Sequence, residues 1–338
     1  METSLFSFDL PTELIAQEPT ADREASRLLV LERGTGRTQD LHVHEVPRLI
    51  APGTVVVLND TRVRKARIFG RTASGRIVEV LLLARRDGDL WEALVGRGGR
   101  LRPGARLSFP ENVTGIVESL GEDTRQVRFL PAVDDHWLER NGHVPLPPYV
   151  RRPDTPQDEE RYQTVYSQPI GSAAAPTAGL HLTKRLIGQM AEAGAQVCRV
   201  TLHVGLGTFL PIRSARIEEH RMHEEEYSVP PETKLMVDAA VRESRPVLAV
   251  GTTVVRTLET AWTDNGLSAG AGRTRIYITP GFTFRVVTQL FTNFHTPESS
   301  LLVLVSAFAG RELILKTYEE AIQKRYRFFS YGDAMLIK

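Results

Sequence analysis

Two stretches rich in Gly, Ala and Thr carry residues fit for chemistry. Residues 171–182 read GSAAAPTAGLHL and hold Thr177 and His181. Residues 201–209 read TLHVGLGTF and hold His203 and Thr208. Small residues let a backbone approach a ligand closely. Thr and His add hydrogen bonds and proton transfer near neutral pH. The pair reads as the walls of a small-molecule site. The second stretch invites comparison with a dinucleotide fingerprint but fails it. The third Gly is missing and Pro211 follows at once, so no helix begins where a pyrophosphate would need one. His203 closes a predicted strand, and open α/β sheets bind ligands at such ends.

Four further motifs have polar residues at element boundaries. VLAVGTTVVRTLE reads as a strand, a Gly251-Thr252-Thr253 turn and a helix. The N–H groups at that helix start suit an anion or a carboxylate. Alternatively, Thr252 or Thr253 caps the helix. HRMHEEE (220–226) brings His223 next to Glu225 without the spacing of a zinc hydrolase. It reads either as a charged surface segment or as a His and a carboxylate set for proton transfer. Asn293 and His295 sit in a loop ahead of an apolar run, and SYGDAM (330–335) carries Asp333.

The elements that position these residues follow from the apolar pattern. The chain has 338 residues, long enough for two domains. The formal net charge of +1 leaves any acidic partner to be recognised by local charge. The single cysteine, Cys198, excludes an intramolecular disulfide and a cysteine-based zinc site. It lies in an apolar run and reads as a core thiol. The first residues show no basic and apolar leader, and the apolar run 301–309 is far short of the ~20 residues of a spanning helix. The expected location is the cytoplasm.

SRLLVLERGTGRTQDLHV predicts two strands around a turn, and GTVVVLND, QVCRVTLHV and RPVLAV predict further strands. RIYITP and SLLVLVSAF also read as strands. LTKRLIGQMAEAGA, KLMVDAAVRES, TVVRTLETAW and RELILKTYEEAIQKRY read as helices. Alternating strands and helices imply a layered α/β sheet. Between about residues 64 and 130, short β-rich runs replace this pattern, with turn residues every 8 to 12 positions or so. The expected organisation is an α/β domain made of residues 1–62 and 151–338, with a small all-β barrel, residues 63–150, inserted into it. From residue 62 to 106 there are twelve Lys or Arg against four Asp or Glu, an excess of eight. A basic β-module is a reasonable footprint for nucleic acid, although it can equally be a solvated face.

Read in order, these motifs resemble one family. FDLPTELIAQEP, VVVLNDTRV, PLPPYVRR, RYQTVYSQPIGSAAAPTAGLHLT, TLHVGLGTFLPI, MHEEEYSVP, VGTTVVRTLE, ITPGFTFRVV, TNFH and YRFFSYGDAMLI are similar to the S-adenosylmethionine:tRNA ribosyltransferase-isomerases of queuosine biosynthesis, and the likeness runs through nearly the whole chain. Leu182, Thr288, Thr296 and Glu298 depart from the pattern. The resemblance implies an α/β domain with an inserted barrel, as read above. It implies that the ribosyl part of S-adenosylmethionine moves to 7-aminomethyl-7-deazaguanine in the wobble position of tRNA and is isomerised, giving epoxyqueuosine-tRNA, adenine and methionine. S-Adenosylmethionine is then a cosubstrate, no metal is required, and a monomer suffices. The chemistry asks for a base at the acidified C5′, an acid for adenine and a neutral amine. Under this reading His203 and His223 are acid–base candidates, with Glu225, Asp60 and Asp333 as carboxylates. Thr177, His181, Thr208, Thr252 and Thr253 line the S-adenosylmethionine site, and Asn293 and His295 join them as substrate-binding candidates. Arg62, Arg64, Arg97 and Arg100 hold RNA phosphates. Two other classes stay open: a methyltransferase acting on RNA, and a non-catalytic RNA-binding protein.

Overall fold

The computed structural model describes residues 1–96, 101–121, 124–205 and 211–338. Its centre is four parallel strands in the order Gln196–Leu202, Val55–Asn59, Val247–Val250 and Gln289–Asn293. Val55–Asn59 is buried along its whole length, which explains its unbroken apolar run: both faces of a parallel strand are covered. The sheet extends to nine strands. On one side Glu225–Val229 and Gly270–Thr274 add antiparallel to Gln196–Leu202. On the other, Ala334–Ile337 adds antiparallel, followed by Arg27–Glu32 and Arg37–His42. All four central strands point their carboxyl ends to one edge.

Side-chain alternation divides the core in two. Val55, Val57, Val247 and Ala249 face helices Pro231–Arg242, Thr252–Ala261, Ser300–Ala309 and Arg311–Gln323. Val56, Leu58, Leu248 and Val250 face Val46–Leu49 and Lys184–Glu192 through Val46, Leu186 and Met190. Cys198 is buried in the first layer, and burial pushes its thiol up to about 12. The expected core thiol is therefore an un-ionised one. No helix among the described residues is long and apolar enough to cross a membrane.

The β-rich run closes into a six-stranded antiparallel barrel in the order Arg125–Leu130, Leu90–Val95, Ile77–Asp87, Arg67–Arg71, Arg106–Ser108 and Thr114–Leu120. Ile68, Val80, Trp91, Val117, Val127 and Phe129 fill its interior, and Trp137 and Leu138 of helix Asp135–Asn141 join the same core. The mixed α/β class with a small β-barrel is thus as the sequence implies.

Two elements differ from the expectation. SLLVLVSAF is the helix Ser300–Ala309 and not a strand. It is apolar on every side because it is packed on every side, so its run carries neither a period of two nor one of 3.6. Its start is marked by Ser299, whose side chain accepts from the Leu302 N–H at 3.2 Å. RIYITP is irregular. The edge strand ends just before it, at Thr274, whose hydroxyl accepts the Ile276 N–H at 3.1 Å. Ser299→Ala is expected to lower the unfolding free energy by about 1 kcal/mol. Denaturant titration would show this as a lower midpoint with an unchanged slope.

Candidate active site

Asn59 ends the wholly buried strand Val55–Asn59 and is fully enclosed. Its Nδ2 donates to the Leu202 carbonyl and to Thr253 Oγ1, both at 3.1 Å. Its Oδ1 accepts from Leu202 N at 3.0 Å and Thr61 N at 3.1 Å. One amide thus ties together the carboxyl ends of three neighbouring strands. Two groups of polar residues hang from it.

The first group surrounds His203. Thr61 Oγ1 lies 2.8 Å from its Nδ1. Beside it, Asp60 Oδ1 accepts from Thr201 Oγ1 at 2.7 Å. Burial, then the Arg64 charge, lower the His203 pKa below its usual 6.5, while Glu226 and Asp60 pull the other way. Burial raises Asp60 above the usual carboxylate value against the Thr201 hydrogen bond and Arg199. Burial thus disfavours the charged form of both groups. Gly171 packs on this ring, since a Cβ there would stand 2.6 Å from His203 Cε1. The stretch after it is pinned to the end of strand Gln196–Leu202: Ser172 Oγ donates to Ala174 O at 2.6 Å and accepts from Val204 N at 2.9 Å.

The second group lines a cleft over the parallel strand ends. Thr177, Thr252, Thr253, Asn293 and His295 line it together with Tyr149 and Ser330. Gly251 makes the turn into helix Thr252–Ala261 at φ 96°, a left-handed conformation that suits glycine. It is also the N-cap, and no side chain caps this helix. Thr253 Oγ1 is instead taken by Asn59. His181 is buried behind the cleft, and its Nε2 accepts from Asn293 Nδ2 at 3.0 Å. Burial first, then Arg23, Arg327 and Arg161, push its pKa down to about 3. His295 pairs with Thr292 Oγ1 at 2.8 Å and donates its backbone N–H to the Tyr318 hydroxyl at 3.0 Å. Burial alone takes its pKa to about 3. Both rings are neutral at physiological pH.

The remaining candidates are placed elsewhere. His203 lies just outside the cleft lining, one residue before Val204, which belongs to it. His223 is exposed ahead of strand Glu225–Val229. Glu225 is buried against Arg256 and accepts from Gly205 N at 2.9 Å. Asp333 is buried with both oxygens engaged by backbone, at 2.9 Å from Arg27 N and 2.7 Å from Arg327 N. Arg62 is exposed. Arg64 pairs with Asp135 at 2.5 Å and stacks 5.2 Å over Trp91, and Lys65 pairs with Glu139 and Glu159 at 3.2 and 2.8 Å. The basic run is therefore partly neutralised by its own neighbours. Thr208, Arg97 and Arg100 lie outside the described residues. Among the described residues no group of three or more His, Cys, Asp or Glu is placed to hold a metal ion.

Sequence reading missed Asn59, Arg256, Tyr149 and Ser330 as site residues. Asn59 left a local signal, a polar residue ending a run of buried apolar ones, and Ser330 opens the SYGDAM motif. Tyr149 and Ser330 are 181 positions apart in the chain, yet their hydroxyls meet at 2.5 Å.

The two neutral histidines make stability depend on pH. Between about pH 3 and 6.5 the unfolded state binds protons that the folded state refuses, so stability rises with pH through this window and is lost on acidification below 6.5. Each ring contributes a slope of about 1.4 kcal/mol per pH unit. His295→Gln, measured by urea unfolding from pH 4 to 7, should shed one such slope. Parallel profiles for the variant and the parent would mean that His295 titrates normally in the fold.

The whole chain has close relatives. A family model described as "Queuosine biosynthesis protein" matches residues 3–337. A protein of Treponema denticola is 45% identical and one of Geobacter metallireducens 49% identical. Each match covers 100% of both chains, and both relatives are named S-adenosylmethionine:tRNA ribosyltransferase-isomerase. The crystal structure of an S-adenosylmethionine tRNA ribosyltransferase from Thermotoga maritima is 36% identical and aligns with a TM-score of 0.58 over 99% of this chain and 100% of that one. A sheet with its polar residues gathered at the parallel strand ends, a closed barrel and a family match from end to end agree, and the chain belongs to the queuosine biosynthesis protein family.

Proposed function

We propose that this chain is an S-adenosylmethionine:tRNA ribosyltransferase-isomerase. It moves the ribosyl part of S-adenosylmethionine onto the aminomethyl group of 7-aminomethyl-7-deazaguanine at the wobble position of tRNA. Isomerisation to the epoxycyclopentanediol then gives epoxyqueuosine-tRNA, with release of adenine and methionine. The observation that carries this reading is the full-length identity to relatives of that name. The cleft at the carboxyl ends of the parallel strands supports it.

The electrostatics suit a cationic cosubstrate. His181 and His295 are uncharged at neutral pH, so neither repels a sulfonium. His203, unprotonated and oriented by Thr61, is the base proposed for the C5′ proton. Asp60, raised by burial, is the neighbouring group suited to hold and return a proton. Glu225 and Asp333 act through the backbone and Arg256, as supports, and the exposed His223 is left to contacts with the RNA. Thr177, Thr208, Thr252, Thr253, Asn293 and His295 bind the cosubstrate, with His181 holding Asn293. Arg62, Arg64, Arg97 and Arg100 meet RNA phosphates. The chain divides into an α/β domain of residues 1–62 and 151–338 and an inserted barrel domain of residues 63–150 that contacts tRNA. It works as a cytoplasmic monomer, and the reaction as written asks for no metal.

Incubation with S-adenosylmethionine and an anticodon stem-loop bearing 7-aminomethyl-7-deazaguanine tests the reading. Mass spectrometry should show the RNA gaining the epoxycyclopentanediol, with free adenine and methionine. A methyl-sized gain with S-adenosylhomocysteine would overturn it. His203→Ala should lower turnover at least ~10²-fold. In the parent enzyme the acid limb of the kcat/KM profile should fall below pH 6.5, because the folded imidazole holds its proton less tightly than a free one.

A further inference from the structure

We propose that the cleft grips its cosubstrate by the α-amino-acid end: the carboxylate on the backbone N–H groups of Thr252 and Thr253, and the ammonium on Asn293 Oδ1. This rests on the S-adenosylmethionine reading above and says which end of that molecule the sheet edge holds.

The donors come first. The helix that starts at Thr252 runs for ten residues and has no side-chain cap. Gly251 N–H is used by the Phe291 carbonyl at 2.8 Å, and Val254 N–H by Gly251 O at 3.1 Å. That leaves the N–H groups of Thr252 and Thr253, which have no acceptor among the described residues. They carry the positive end of the helix dipole, and both residues line the cleft.

The acceptor is an independent observation. Asn293 is only 2% exposed, and its Oδ1 has no hydrogen-bond partner. Its Nδ2 donates to His181 Nε2 at 3.0 Å, to Phe329 O at 3.2 Å and to Asp333 O at 3.5 Å. Turning the amide over would set Oδ1 against the carbonyl oxygens of Phe329 and Asp333. The amide is therefore locked with Oδ1 as its buried, unpaired atom, and Asn293 is one of the residues that line the cleft. A buried acceptor without a donor is costly unless a ligand supplies one.

The spacing fits one chemical class. Val250 and Phe291 are partners in the parallel ladder, and Thr252 and Asn293 each stand two residues further on. Donors and acceptor thus follow the carboxyl ends of neighbouring strands and belong to residues that line the same cleft. An α-amino acid carries its carboxylate and its ammonium on one carbon and satisfies both at once. An RNA phosphate would leave Oδ1 unpaired, and an adenine amine would leave the helix start empty.

Calorimetric titration of the intact enzyme separates these cases. S-Adenosylmethionine should bind at least ~10-fold tighter than its decarboxylated analogue, which keeps the ammonium and the sulfonium. Thr252→Pro deletes one donor at the first helical position, where proline is tolerated. It should weaken S-adenosylmethionine more than the decarboxylated analogue and so narrow the ratio of their affinities. Equal affinity of the unaltered enzyme for the two compounds would overturn the assignment while leaving the function intact. Failure of S-adenosylmethionine to bind at all would overturn the function as well.

Discussion

A buried amide holds the site together. Asn59 is enclosed at the end of the central strand, and each of its two acceptor positions and two donors is used. Such a group is expensive to bury unpaired and specific when fully paired, because each bond demands one geometry. The bonds fix Leu202, Thr61 and Thr253 relative to one another. They therefore set where His203 stands, since it follows Leu202 and pairs with Thr61, and where the helix beginning at Thr252 starts. Shift the Val55–Asn59 strand by one residue and both groups lose their anchor.

Other buried polar residues around this hub brace backbone. Glu259 accepts the N–H groups of Arg285, Val286 and Val287 at 3.0 to 3.1 Å, holding an irregular segment that no strand partner satisfies. Asp333 does the same for Arg27 and Arg327. Glu225 joins Arg256 to the start of the glycine-rich stretch through Gly205. A buried ion pair adds little net stability, because desolvation opposes the Coulombic gain, but losing one partner strands a charge. These carboxylates rigidify the edge on which the chemistry is set. The side chains that line the cleft itself carry no formal charge at neutral pH.

The barrel is a different construction, with its own apolar interior and a charged exterior. Many of its basic side chains are paired: Arg67 with Glu79 at 3.0 Å, Arg128 with Asp89 and Glu118, and Arg64 with Asp135. Exposed pairs of this kind are individually weak and screened by salt. An RNA phosphate can displace such a carboxylate at small cost, so pairing does not disqualify these residues as contacts. It does mean that the local excess of positive charge overstates the field a nucleic acid would meet.

Local pattern alone determined a good deal here: most helices and strands, the β-rich run that closes as a barrel, and the strand, Gly251 turn and helix that opens the anion-suited terminus. These features arise from neighbours in the chain, where periodicity and turn residues speak directly. The uniformly apolar run 300–309 defeated that reading, since a helix buried on all sides has no period to show. Tertiary structure alone decided which motif residues meet. Asn59 reaches partners 143 and 194 positions away, and Asn293 meets His181 across 112. It also decided that His181 and His295 are neutral, because the fold removes water from them. Hydrogen-bond pairing and desolvation depend on distances between remote segments, and only packing sets those distances.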